Sequence, residues 1–330
     1  MYENKAIGVV IPAYNEELLI GDVLENIPEF VDRIIVIDDG SKDNTKEIVK
    51  NFMEQNQKIV LIEHETNRGV GASIVSGYKK SIELSIDITV VMAGDNQMDP
   101  EELPKLLNPI IEGEADYVKG NRLITGEAWK MIPKSRYLGN ASLSLLTKIA
   151  SGYWQIADFQ SGYAAIALDA LKILELDRLY SRYGYPNHLM VMLNIFNLRV
   201  KDVPVRPIYN IGEKSGIKIH KVIPKISWLL VKSFFWRLKE KYVIRDFHPL
   251  VFFYLFGFLL LPLGVFYGFF IFFTRVFLRQ IIESSKFVGL AMTFSTPFGM
   301  LIDIILILAG IQFFLFAMLI DMEYNRHLNK

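Results

Sequence analysis

The sequence predicts an α/β domain built on an open, mostly parallel sheet, followed by an amphipathic helix and a two-helix membrane hairpin. Three observations predict it. Strand-like apolar runs alternate with helical periods over residues 6–120. A polar cluster follows each of several of those runs. Charge is concentrated before residue 247: of 36 Lys/Arg and 36 Asp/Glu, only five and four respectively lie beyond it, although mean hydropathy over the chain is +0.26. The domains expected are therefore 1–220 for the α/β part, 221–246 for the amphipathic segment and 247–330 for the hairpin.

The strands are read from "AIGVVIP", "RIIVIDD", "KIVLIEH", "ITVVMAG" and "DYVKGNR". Continuous apolar runs such as Ile34 to Ile37 are what a strand needs when helices cover both faces of its sheet. In such sheets ligands bind beyond the carboxyl ends of the strands, so the residues that follow each run are where chemistry is sought. There stand Pro12-Ala13-Tyr14-Asn15-Glu16-Glu17, Asp38-Asp39-Gly40-Ser41, Asn67-Arg68-Gly69-Val70-Gly71 and Asp95-Asn96-Gln97. The first turn has no glycine between Gly8 and Gly21, which argues against a dinucleotide site. A net charge of zero supplies no field for bulk nucleic-acid binding, and with no cysteine there is no disulfide or thiolate metal site.

At the membrane end, residues 247–274 carry no Asp, Glu, Lys or Arg and exceed the roughly 20 residues that cross hydrocarbon. A second span starts at Thr296-Pro297, an N-cap followed by proline at the first helical position. The spans are expected near 249–273 and 297–320, with Asp303 one to two turns inside the second, and the C-terminus returns to the side of the large domain. Before them, Ile223, Ile226, Leu230, Phe234 and Leu238 recur at helical spacing opposite Lys221, Lys225, Lys232 and Lys239, the pattern of a helix lying in the membrane interface. A helix packed on the globular domain gives the same stripe.

Taken in order, "VVIPAYNEE", "VIDDGSKDNT", "NRGVGAS", "GDNQMDP", "GNR", "DFQSGY", "DVPV" and the C-terminal hairpin resemble glycosyltransferase family 2, which has the GT-A fold, and within it the polyprenyl-phosphate (dolichyl-phosphate) glycosyltransferases. The resemblance implies transfer of a sugar from a nucleotide sugar to the phosphate of a polyprenyl or dolichyl phosphate, at the cytosolic face of a bilayer. It implies that Pro12, Tyr14 and Glu16 line the nucleoside pocket and that Asp39 lies near base and ribose. Asp95 and Gln97 match the site of the metal, Mg²⁺ or Mn²⁺, and the diphosphate. Arg122 matches the arginine facing the phosphates, Arg136 and Asn140 the acceptor-phosphate pair, and Asp158 and Gly162 the second half of the active site. Ser215 and Lys218 fall where the family has a loop covering the donor. The family's Asp-x-Asp is here Ala93-Gly94-Asp95, which removes one carboxylate and puts metal dependence in question; Asp99 either compensates or caps the helix that Pro100 begins.

The chemistry accords with these residue types. Sugar transfer builds negative charge on a departing diphosphate, and a hard cation held by oxygen ligands stabilises it. A sugar hydroxyl acceptor must lose a proton, whereas a lipid phosphate is already ionised at neutral pH, so arginines that position it replace a general base. Direct displacement inverts the anomeric carbon. Two other readings fit parts of the sequence. A processive polysaccharide synthase shares the fold, but no Gln-x-x-Arg-Trp run is present. A non-catalytic nucleotide-sugar-binding scaffold would account for Ala93. His64, His188 and His220 are read as structural or solvated rather than catalytic, and a UDP-sugar is slightly preferred over GDP-mannose as donor.

Overall fold

Short stretches of β-branched residues become strands because each buries side chains on both faces. In β1 (Ile7–Ala13), Val9 and Ile11 pack with α1 (Ile20–Glu25), while Val10 points the other way with Ile35 and Ile37 of β2 (Arg33–Asp38). All are essentially inaccessible, and each such side chain contributes about 1.5–3 kcal/mol of burial. The computed structural model describes residues 1–123, 134–206, 219–274 and 297–329, with the side chains of 134–140, 219–221 and 329 excepted.

The chain continues through α2 (Thr45–Gln55), β3 (Ile59–Glu63), α3 (Val70–Glu83), β4 (Ile88–Val91), α4 (Leu103–Ile111) and β5 (Tyr117–Asn121). It then forms α5 (Lys134–Ser151), β6 (Ala164–Ala167), α6 (Leu168–Ile173), α7 (Tyr185–Ile195) and β7 (Val200–Pro204). The strand order is β3-β2-β1-β4-β6-β5-β7. The five strands read from sequence all form. Between β4 and β5 the structure inserts β6, antiparallel to both, so the sheet is mixed though mostly parallel. β6 is not legible in the sequence because "AAIA" is short and alanine-rich, with little intrinsic strand preference. β7 is one of the two edge strands, with β3 the other, and there Pro204 leaves no central ladder bond unmade.

Because β1, β2 and β3 run out one way from the centre and β4 lies on the other side of β1, the strand order reverses between β1 and β4. That crevice is the topological switch point, where open α/β sheets bind ligands. α3 lies close on the sheet at Gly77, where a Cβ would come within 2.3 Å of Val10.

Helix α8 (Ile219–Arg237) completes the first of two compact units, Met1–Arg237 with Asn325–Lys330. Ile226, Leu230 and Phe234, the stripe expected to meet a membrane interface, are buried in this unit. The exposed face instead carries Trp228, Val231 and Phe235 beside Lys225 and Lys232, with the Lys232 ammonium 5.4 Å from the Trp228 ring. The two faces share one helical period, which is why the sequence pattern did not separate them. The C-terminal return is also seen: the Asn194 amide donates to Asn325 Oδ1 (3.0 Å), and Leu328 is buried.

The second unit, Leu238–Tyr324, holds two helices long and apolar enough to cross a membrane, α9 (Leu250–Phe273) and α10 (Pro297–Tyr324). They overlap the stretches read from sequence as spans, and α9 runs through Pro262 without a break. They pack backbone to backbone at small residues: a Cβ on Gly310 would lie 2.6 Å from the Leu261 nitrogen, and one on Gly264 3.0 Å from that of Ile307. Asp303 faces Gly268 across the pair.

Candidate active site

The loops that follow β1, β2 and β4 are tied together by hydrogen bonds. Asn15, whose φ of 58° places it in the left-handed region, donates its N–H to Ser41 Oγ (2.9 Å) and accepts from Lys42 N–H through its side chain (2.8 Å). Glu16 N–H donates to Thr45 Oγ1 (2.8 Å), and Glu17 accepts from Asn44 N–H and Nδ2, both at 3.0 Å. Asp39 N–H donates to the Ala13 carbonyl (2.9 Å), and Gly94 N–H to the Pro12 carbonyl (3.4 Å). Pro12, Tyr14, Glu16, Asp39 and Asp95 therefore sit on adjoining loops at one sheet edge, with the Tyr14 ring exposed.

Asp39 is more occupied than the sequence suggests. Its Oδ1 accepts from His64 Nδ1 (2.7 Å) and Arg68 N–H (2.9 Å), and its Oδ2 from Gly69 N–H (2.8 Å). Since the carboxylate accepts, Nδ1 of His64 carries the proton, and Nε2 meets Ser76 Oγ at 2.9 Å. The buried aspartate thus shapes the Asn67-Arg68-Gly69 turn from beneath. Gly69 has φ of 98°, and a Cβ there would lie 2.5 Å from the Ser181 carbonyl, so the glycine serves chain approach. Both ring nitrogens of His64 are thus engaged within the fold. His188 is engaged too: it accepts from Tyr180 N–H (3.2 Å), stacks on Trp236, and burial pulls its imidazole down to about 4.

After β4, Asp95 Oδ1 accepts from Gln97 N–H at 3.1 Å, and Asn96 takes a left-handed φ of 58°. Burial raises the Asp95 carboxyl, and the Gln97 N–H, its own backbone and the Arg122 charge offset this only in part. Asp99 Oδ1 accepts from Glu101 N–H (2.9 Å) and caps the short helical turn begun by Pro100. That is the capping alternative for Asp99. Tyr163 Oη donates to the Asp99 carbonyl (2.7 Å), and a Cβ on Gly162 would lie 3.4 Å from Met98 Cε, which joins this loop to "DFQSGY".

Arg122 and Asp158 form a forked pair: Nε to Oδ2 at 2.8 Å and Nη2 to Oδ1 at 3.1 Å. Asp158 also accepts from the N–H groups of Arg122 (3.3 Å), Gln160 (3.2 Å) and Ser161 (3.1 Å). Burial pushes its carboxyl up, but Arg122, with help from Lys119 and these bonds, outweighs it and holds the group below the usual carboxylate range. Five bonds on one carboxylate leave it orienting other groups rather than removing a proton.

Arg136 and Asn140 lie on α5 with side chains outside the described ones, and Ser215 and Lys218 lie outside the described residues. Among the described residues no group of three or more His, Asp or Glu forms a metal cluster. The donor set still suits a hard cation. Asp95 is a half-buried carboxylate whose charge is poorly compensated by protein, and one such ligand with substrate phosphates is a normal magnesium site. Sequence reasoning missed Lys119, Asp202 and the Tyr163 link. Asp202 was visible only as part of "DVPV", and nothing in the pattern marks a buried strand lysine as important.

At the switch point, then, the Asp95 carboxylate lies within the influence of the Arg122 charge, and Arg122 is forked onto Asp158, on a mixed, mostly parallel sheet. The chain belongs to glycosyl transferase family 2, whose sequence pattern matches residues 8–174. It is 36% identical over 219 residues, 62% of this chain and 87% of the relative, to the UDP-N-acetylglucosamine–dolichyl-phosphate N-acetylglucosaminyltransferase of Methanococcus voltae. It is 28% identical to the undecaprenyl-phosphate mannosyltransferase of Micrococcus luteus, over 59% of this chain and 81% of that one. The fold is shared with glucosyl-3-phosphoglycerate synthase of Mycobacterium tuberculosis, solved with Mn²⁺, UDP-glucose and phosphoglyceric acid; the TM-score is 0.53 at 20% identity, covering 71% and 80% of the two chains.

Proposed function

We propose that this glycosyltransferase moves a sugar from a nucleotide sugar to the phosphate of a polyprenyl or dolichyl phosphate, with inversion, at the cytosolic face of a membrane that its two apolar helices span. The observation that carries the acceptor class is the saturation of Asp158. With five hydrogen bonds it has no lone pair to receive the proton of an attacking hydroxyl. An acceptor phosphate brings its own negative oxygen and asks for a cationic guide, the role assigned to Arg122 with Arg136 and Asn140 on α5.

Pro12, Tyr14, Glu16 and Asp39 hold the nucleoside, with Asp39 acting partly through the 67–69 turn it organises, and Ser215 and Lys218 cover the donor. Asp95 and Gln97 would hold Mg²⁺ or Mn²⁺. When bound, the ion supplies Lewis-acid stabilisation to the departing diphosphate. The name of the Methanococcus relative supports a UDP-sugar, that of the Micrococcus relative supports mannose as an alternative sugar, and GDP-mannose is the second donor considered.

The test incubates the full chain in lipid nanodiscs with UDP-N-acetylglucosamine, UDP-glucose or GDP-mannose and undecaprenyl or dolichyl phosphate, with and without Mn²⁺. A glycolipid of the mass of one added sugar and of inverted anomeric configuration is expected. Nucleotide binding without any glycolipid would favour a non-catalytic scaffold, a polymer would favour a processive synthase, and a retained anomer would refute direct displacement.

A further inference from the structure

Beneath the Arg122–Asp158 pair lies a lysine to which neither the motifs nor the mechanism gives a task. Lys119, in β5, is completely buried, opposite Ala164 of β6 and Asp202 of β7. Its Nζ donates to the carbonyl of Ser161, whose own N–H holds Asp158. Asp202 grips the other end of the same loop: its Oδ2 accepts from Ala157 N–H (2.8 Å) and from Asn121 Nδ2 (2.8 Å), and Asn121 Oδ1 accepts from Leu123 N–H (2.9 Å). The 157–161 turn is thereby fastened to both β5 and β7, directly below the residue that orients Arg122. The charged groups facing Lys119 are Asp158 and Arg122 above and Asp202 alongside.

A buried ammonium is a poor way to fill space. Its desolvation cost is repaid only by close countercharge and good hydrogen-bond geometry. Here burial pulls the Lys119 ammonium down to about 8, against the attraction of Asp158 and Asp202. Burial likewise raises the Asp202 carboxyl, whose Oδ1 has no hydrogen-bond partner among the described residues.

We propose that Lys119 is a positioning residue for sugar transfer: by holding the Ser161 carbonyl, and with Asp202 anchoring Ala157, it fixes the 157–161 turn so that Asp158 presents Arg122 to the reacting phosphates. No atom of Lys119 touches substrate. The charged lysine holds the turn at neutral pH, and the hold weakens as the proton leaves. The inference rests on the proposed reaction for its kinetic readout, but not for its structural one.

The experiment compares wild type, Lys119→Met and Lys119→Arg as full chains in nanodiscs, with UDP-N-acetylglucosamine and undecaprenyl phosphate as probes, between pH 6 and 10. Wild type is expected to lose kcat on an alkaline limb centred near pH 8. Lys119→Met lowers kcat at pH 7 about tenfold or more, with donor KM within about threefold, and shows no such limb. It melts below wild type, because Asp158 and Asp202 lose a buried countercharge. The kcat values are therefore compared at a temperature where both proteins remain folded, which separates positioning from loss of fold. Lys119→Arg regains part of kcat and also lacks the limb. Independently of activity, hydrogen exchange at the amides of Gln160 and Ser161 should quicken in Lys119→Met after correction for intrinsic rates. Wild-type kcat and pH profile in Lys119→Met, or unchanged exchange in the turn, would overturn the proposal. A wild type that transfers no sugar would sink the proposed reaction instead, and the exchange measurement would then decide the locking role.

Discussion

Replacing Arg122 by methionine leaves Asp158 buried without its forked partner. Removing one member of a buried pair costs about 3–5 kcal/mol, and because the Arg122 side chain is 28% exposed the lower end, about 3 kcal/mol, applies. In a domain of this size that lowers Tm by roughly 6–12 °C. The double variant Arg122→Met/Asp158→Asn removes the stranded charge while its Oδ1 still accepts from Gln160 and Ser161, so stability returns to within about 1 kcal/mol of wild type. Activity does not return with it. Both variants lose transfer by about 10²–10³-fold, the scale for removing a preorganised group that faces developing charge. Thermal unfolding by circular dichroism in detergent, with glycolipid formation measured on the same samples, reads both quantities. Recovery of kcat in the double variant would show the pair to be purely structural and refute the reasoning.

Three further outcomes follow from the same geometry. Asp95→Asn should abolish most transfer and weaken Mn²⁺ binding by calorimetry. It should also raise thermal stability at pH 7: a carboxyl raised in the folded state loses stability as pH climbs from 3.8 through its folded value, and the amide removes that loss. For His188 the sign is set by a depressed imidazole, which makes the fold weaken as pH falls from 6.5 toward 4. At pH 5 the loss is about 2 kcal/mol, and a denaturant titration of His188→Gln should lack this pH dependence. In the hairpin, Gly310→Leu should push α10 off Leu261. Because the chain has no cysteine, a Phe253→Cys/Phe313→Cys pair, whose parent rings are 5.9 Å apart, reports the separation as a fall in disulfide yield.

Much of this molecule is local, and what is local was legible. The first five strands are runs whose own β-branched residues specify them, and the two long apolar helices follow from length and lack of charge alone. Asp99 before Pro100 encodes a cap in two adjacent letters. The polar clusters after β1, β2 and β4 do adjoin, because a parallel sheet brings its carboxyl ends together whatever the loops contain. What the sequence could not decide depends on partners distant in the chain. Asp39 is engaged by His64 and Gly69, Asp158 by Arg122, and Lys119 is buried under Asp158 and beside Asp202; no spacing rule links residues 36 or 83 positions apart. The stripe of α8 shows the same limit, since helical periodicity states that a face is apolar and only packing states what covers it. The sequence by itself determined which side-chain types follow the strands at the sheet's edge. The tertiary structure decided which carboxylates were already satisfied, because desolvation and hydrogen bonding act through space and take no account of order along the chain.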